Sequence, residues 1–144
     1  MFKKLIIAAT LAASFGAIST PTMANDIHIN QWGWGHSTGG SQSGWSNTIG
    51  VYQNGWRNSV NSQQYGNRNV AAAGQDGHRN SAQTWQNGNR NQAGVGQFGS
   101  DHTSVLTQDG NRNIAAGVQI GNGCSTNVNQ TGSRNVAAFV QVCP

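Results

Sequence analysis

The chain has 144 residues, of which only 8% are charged and 35% apolar, with 20 glycines, 2 prolines and a formal net charge of +4. So little apolar content is short of an ordinary hydrophobic core, yet the charge, Glu and Pro that keep disordered chains soluble are missing as well. Lys3 and Lys4 account for two of the eight basic residues, so the rest of the chain sets six arginines against four aspartates, too small an excess to argue for nucleic-acid binding by itself.

Residues 1–24, MFKKLIIAATLAASFGAISTPTMA, read as a Sec signal peptide: a basic start, an apolar run from Leu5 and small residues before Ala24. The run of about thirteen apolar residues, interrupted by Ser14 and Gly16, is too short for a bilayer, which needs roughly twenty. No stable membrane insertion is expected, and the mature chain is expected to begin at Asn25 and to leave the cytoplasm. A Gly- and Trp-rich segment, 25–35, precedes the rest.

From there one phrase recurs. After Gln31, Gln returns every eleven residues, at Gln42, Gln53, Gln64, Gln75, Gln86, Gln97, Gln108, Gln119, Gln130 and Gln141. Two residues after each but Gln141 comes glycine: Gly33 first, then Gly44, Gly55, Gly66, Gly77, Gly88, Gly99, Gly110, Gly121 and Gly132. Three further on, asparagine stands at Asn47, Asn58, Asn69, Asn80, Asn91, Asn113 and Asn135. Periodicity this strict marks a repeat architecture. An eleven-residue period also suits a right-handed helical supercoil, but Gly and Asn in each unit are poor helix formers. The alternation Asn, Ala, Val, Gln has period two, the pattern of a strand with one buried face. Gly-x-Arg is then the turn, with glycine supplying backbone angles that other residues resist.

A hairpin meander could use the same turns. Against it, the outward positions alternate in character. They are apolar at Val70, Ala72, Ile114, Ala116, Val136 and Ala138, and polar at Ser59, Asn61, Ser81, Gln83, Ser125 and Asn127. The full repeat is therefore 22 residues, two unlike 11-residue halves. The expected fold is all-β: a two-sheet parallel β-solenoid in which like residues stack and inward Gln and Asn amides bond to their copies above and below. Its two ends expose unpaired strands, so it is expected to polymerise as cross-β.

Three surface features stand out. Arg68, Arg90, Arg112 and Arg134 fall on one turn edge, and Arg57, Arg79, Asp101 and Gly123 on the other. The basic edge suits an acidic polysaccharide or extracellular DNA; the alternative is a row of solvated like charges that slows premature assembly. The apolar outward residues, with Val118 and Val140, form a stripe on one sheet that would serve lateral bundling of fibres or would simply favour strands. Cys124 and Cys143 are candidates for a disulfide in an oxidising compartment, with free thiols or metal binding as alternatives. His28, His36, His78 and His102 lack a paired ligand spacing, and no nucleophile motif is present, so no enzyme activity, metal or cofactor is expected.

The phrase Gln-x-Gly-x-Arg-Asn-x-Ala-x-Val-x-Gln resembles the curlin repeat of bacterial curli amyloid subunits, in five copies beginning near His36, Asn58, Asn80, His102 and Cys124 and filling residues 36–144. Where the family opens on Ser, this chain has His, Asn or Cys, and the family's Gly-x-Gly-Asn turn is here usually Gly-x-Arg-Asn. The resemblance implies a secreted structural subunit that builds extracellular amyloid fibres for biofilm matrix, adhesion and aggregation. It implies export through the periplasm and an outer-membrane curli secretion pore, with periplasmic chaperones, and a nucleating curlin subunit as partner. Residues 25–35 are similar in place to the flexible export-targeting segment of the major subunit, which favours that role. The basic turns and strict spacing also suit the minor nucleator. From another class, a monomeric β-solenoid binding module, an adhesin or ice binder, is the alternative.

Overall fold

The computed structural model describes residues 24–144, so residues 1–23, which carry the expected signal peptide, lie outside the described part. The described residues form eleven strands: β1 (Asp26–Trp34), β2 (Ser37–Ser43), β3 (Thr48–Trp56), β4 (Ser59–Tyr65), β5 (Val70–His78), β6 (Ser81–Asn87), β7 (Gln92–Ser100), β8 (Thr103–Asn111), β9 (Ile114–Asn122), β10 (Ser125–Ser133) and β11 (Val136–Val142). Odd strands make a six-stranded sheet in the order β1-β3-β5-β7-β9-β11, and even strands a five-stranded sheet, β10-β8-β6-β4-β2. All the pairings are parallel and in one register, each residue opposite the one 22 positions on, as in Gln53↔Gln75 and Gln75↔Gln97. This is the two-sheet parallel solenoid with a 22-residue repeat that the sequence leads one to expect.

Each strand rises by pairing with its copy, and the short turns only switch the chain between sheets. The turn works because two residues in it take left-handed backbone angles. In the turn between β6 and β7, Gly88 has φ 115° and Arg90 has φ 60°. The first was expected from sequence and the second was not. Seven such turn positions after the first carry Arg57, Arg68, Arg79, Arg90, Asp101, Arg112 and Arg134 at φ between 54° and 62°. An L-residue there crowds its Cβ against the following carbonyl, a strain of about 1–2 kcal/mol for most side chains.

The space between the sheets is one side chain thick. Its apolar part, centred on Ile49, Val60, Ala71, Ala82, Val95 and Leu106, is small. Fully buried polar residues outnumber the apolar ones, and they are chiefly the Gln and Asn columns. Buried polar groups must be hydrogen-bonded or they cost more than the apolar contacts supply. Here the condition is met: Ser104 Oγ is the one buried side-chain polar atom without a partner among the described residues.

Residues 26–34, placed before the repeats by the sequence reading, supply β1. It pairs with β3 along its whole length, from Asp26↔Thr48 to Trp34↔Trp56. The reason is local: this segment carries the same Gln-x-Gly phrase, and Gln31 and Gly33 sit opposite Gln53 and Gly55.

The glycines divide into two kinds, which gives a paired test. A Cβ at Gly88 would overlap the carbonyl oxygen of Gly110 in the next rung, whereas a Cβ at Gly74, facing outward, would meet nothing within 4 Å. Gly88→Ala is expected to destabilise by more than about 3 kcal/mol or to prevent folding, and Gly74→Ala to be neutral or to stabilise by up to about 1 kcal/mol. Denaturant midpoints of the two variants, followed by circular dichroism, check this.

Candidate functional site

The glutamines form two continuous side-chain ladders, one per sheet. In the odd sheet Gln53 Nε2 donates to Gln75 Oε1 at 2.8 Å, Gln75 to Gln97 at 2.7 Å and Gln97 to Gln119 at 2.8 Å. In the even sheet Gln42, Gln64, Gln86 and Gln108 each donate to the next in turn, ending on Gln130, at 2.8–2.9 Å. The ladders run one way: the earlier residue always donates and the later accepts.

The second hydrogen of each amide crosses the core. Gln64 Nε2 donates to Thr48 O at 3.0 Å, Gln86 to Val70 O at 3.0 Å and Gln97 to Ser81 O at 3.0 Å, each carbonyl belonging to the opposite sheet. A two-donor, two-acceptor amide thus serves as both vertical rung and horizontal tie. That is why no shorter or apolar residue can replace it.

The asparagine column differs from the expected amide-to-amide ladder. Asn69 N donates to Asn47 Oδ1 at 3.0 Å, and Asn47 Nδ2 donates to the carbonyl of Gly66 at 2.8 Å. The same pattern recurs from Asn58 to Asn80 and Gly77, and from Asn91 to Asn113 and Gly110. The side chain is one methylene shorter than Gln, so it reaches the turn backbone rather than its copy. Asn135 continues the column, its N–H donating to Asn113 Oδ1 at 3.0 Å. His36 and His102 stand in the same column. Cys124 N–H donates to His102 Nδ1 at 3.1 Å, and a backbone N–H can only donate, so the ring proton sits on Nε2, 3.2 Å from Phe98 O. The imidazole copies the amide's bond to the N–H of the next rung and its bond to the carbonyl four residues back, as Asn58 makes to Asn54.

Cys124 and Cys143 are joined by a disulfide across 19 residues. The Asn–Gly tie has the same separation, as in Asn69 to Gly88. The disulfide therefore occupies the place of that hydrogen bond in the last rung.

The two turn edges have different chemistry. Arg68, Arg90, Arg112 and Arg134 line one groove, with Trp45, Asn67, Asn89 and Asn111. Arg68 lies 4.6 Å over the Trp45 ring, a cation–π contact. The asparagines of this edge form a ladder that the sequence reading missed: Asn67 N donates to Asn89 Oδ1 at 3.0 Å and Asn89 N to Asn111 Oδ1 at 2.9 Å. Its signal was in plain sight, an Asn between Gly and Arg in three successive turns of one edge.

The opposite edge carries an aromatic stack, Trp34 to Trp56 at 5.5 Å and Trp56 to His78 at 4.9 Å between ring centres. Arg79 grips Asp101 there with two bonds, Nε to Oδ1 at 2.7 Å and Nη2 to Oδ2 at 2.8 Å. Its guanidinium holds the Asp101 carboxyl below its ordinary range, chiefly through those hydrogen bonds, and Asp101 raises Arg79 in return. Both side chains are exposed, so the pair contributes little to stability. The apolar stripe lies on the outer face of the six-stranded sheet and is most exposed at its C-terminal end, where Val136 and Val140 are 72% and 74% exposed. Among the described residues no group of three His, Cys, Asp or Glu side chains could hold a metal ion.

Among the described residues both ends of the solenoid are open. At the C-terminal end β10 and β11 have no further strand, and at the N-terminal end β2 and β1 have none. The ladder's one-way sense makes these ends unlike. Among the described residues, nothing donates to Gln31 Oε1 or Gln42 Oε1, while Gln141 Nε2 has no acceptor.

Two substitutions test the interior columns and the strained turn. Gln97→Leu removes three bonds and leaves the amides of Gln75 and Gln119 short of a partner. It is expected to destabilise by about 2–5 kcal/mol, against less than about 0.5 kcal/mol for Gln83→Leu on the exposed face. At φ 60°, Arg90→Asn is expected to stabilise by up to about 1 kcal/mol and Arg90→Val to destabilise by about 1 kcal/mol or more. Equilibrium unfolding in guanidinium chloride measures both pairs.

A family model described as the curlin associated repeat matches residues 77–110, the stretch from the end of β5 through β8. No curated protein matches the chain.

Proposed function

We propose, from the premise that this is a curlin-repeat chain, that it is a structural subunit which is secreted and assembles end to end into extracellular cross-β fibres. The observation that supports this best is the pair of open ends. Each exposes two unpaired strands, whose backbone groups are a template for another chain, and one end offers amide donors where the other offers acceptors. The interior adds an energetic reason. With small apolar side chains inside, burial at about 25 cal/mol per Å² stabilises a single copy modestly, and each added rung brings a full set of ladder bonds.

The fibre's place is the bacterial cell surface, reached through the periplasm and the outer-membrane curli secretion pore with chaperones in attendance, and its role is biofilm matrix, adhesion and aggregation. Of the two subunit types, the major one fits better. Its work is elongation, which needs an N-terminal end in register with the rest, and β1 supplies that. A nucleating curlin subunit is then its partner. The arginine edge suits acidic matrix polymers as a secondary contact.

Fibre diffraction on the chain from Asn25 to Pro144, diluted from denaturant and left at micromolar concentration, is the test. Reflections near 4.7 Å along the fibre and about 10 Å across it are expected. A chain that stayed soluble and monomeric with β-type circular dichroism would overturn the polymer and favour a solenoid binding module.

A further inference from the structure

The interior is not uniform from end to end, and its two irregularities fit each other. In the six-stranded sheet the inward column that runs through Val51, Ala73 and Val95 changes at Gly117, and Phe139 stands opposite it. The Phe139 ring fills the space a Cβ of Gly117 would need, so only glycine permits it. Phe139 lies in β11, the last strand of its sheet, and its upper side has no neighbour. At the other end, β2 has an inward glycine, Gly40, where β4, β6 and β8 place Ser62, Thr84 and Leu106. A knob ends the solenoid, and a position with no side chain of its own, bordered by Ile49 and Ile27, begins it.

Two dockings keep the glutamine columns aligned. In the first, the second copy keeps its orientation, with its β1 on β11. This sets Phe139 against the second copy's Ile29, and it leaves a gap one strand wide between β10 and the second copy's β2. In the other, the second copy is turned by half a revolution about the long axis, so its β1 pairs with β10 and its β2 with β11. Both edges are then filled. Phe139 faces the second copy's Gly40, enclosed between two glycines as close packing of a thin core requires. On the outer faces β1 turns Asp26, His28 and Asn30 toward Ser125, Asn127 and Asn129 of β10, polar against polar, while Ser37, Gly39 and Ser41 of β2 meet Val136, Ala138 and Val140 of β11.

We infer that successive copies of this chain dock head to tail with a half turn between them, β1 on β10 and β2 on β11, so that the two sheets exchange roles from one copy to the next. This rests on the polymer reading above and specifies its interface. It has a consequence for the surface. The arginine groove of one copy is followed on the same edge by Gly35, Arg57 and the Arg79–Asp101 pair of the next. Basic and aromatic segments therefore alternate along each edge, and no unbroken line of like charge forms.

Cysteine trapping distinguishes the dockings. Asn30, Asn129 and Val140 all point outward and are exposed, so substitution leaves the core intact. Chains carrying Asn30→Cys are mixed with chains carrying Asn129→Cys, or separately with Val140→Cys, and fibres are grown and then oxidised. Facing positions on adjacent strands lie about 4.8 Å apart, within the range a disulfide spans. The half-turn docking predicts linked dimers, after the fibres are dissolved, from Asn30→Cys with Asn129→Cys and at most a tenth as many with Val140→Cys. The reverse ratio would overturn the half turn and leave the polymer standing. Comparable yields from both, or fibres with neither, would overturn a single head-to-tail register. Failure of the unsubstituted chain to form fibres at all would instead remove the polymer reading itself.

Discussion

Everything in this solenoid depends on one constraint, that residue i must stand directly on residue i+22. The buried glutamine enforces it. A parallel strand pair can form its backbone bonds in several registers, but a slip by one residue turns every inward side chain outward. A slip by two would leave side-chain alternation intact and part each Gln amide from its copy, setting it against residues such as Ala73, Val95 or Leu106, which cannot pair with it in a dry interior. Because Gln53 Nε2 reaches both Gln75 and the carbonyl of Ser37 in the other sheet, the same amide fixes the vertical register and the relation between sheets.

This explains why the interior can be so poor in large apolar residues. Ordinary domains hold their elements together through burial, which is non-directional and tolerates many arrangements. Here the directional bonds select the arrangement, and Ala71, Ala82 and Ala93 need only fill the space between columns. The bonds are also local, rung to rung, so stability is a sum of nearest-neighbour terms with a deficit at each end. An architecture of this kind is least satisfied at its ends, whatever its length. The turns show the opposite economy: strain is accepted at Arg57, Arg68 and Arg90 because the cationic residue keeps the edge in water.

Much of this was legible in the sequence because period alone determines columns. Knowing that Gln returns every eleven residues, and that outward character returns every 22, is enough to say which residues stack and how many sheets there are. Period does not say which backbone groups come near a column. The Asn side chain turned to the Gly carbonyl 19 residues on, rather than to its copy, because chain height at the turn puts that carbonyl closer. The left-handed arginines were hidden for a related reason: a glycine announces the angle, as Gly35 and Gly123 do at the same turn position, and Arg gives no such sign. Residues 26–34 were set apart by their Gly-rich composition and their place ahead of the repeats, although their Gln31 and Gly33 already carried the stacking phrase.

The disulfide is best understood from the same columns. From Asn47 to Asn91, the Nδ2 of each column asparagine holds the turn of the following rung through a glycine carbonyl, and that turn is held in its place by a further rung beyond it. The last turn of the described chain has no rung beyond. A single hydrogen bond there would compete with water at an open end, where a net bond is worth only about 1 kcal/mol. A covalent bond between Cys124 and Cys143, at the same separation, does not depend on a neighbour to exclude water. It keeps β11 seated, with Phe139 locked over Gly117. The place in the solenoid with the least support from stacking is thus the place where the chain replaces an amide with a bond that needs none.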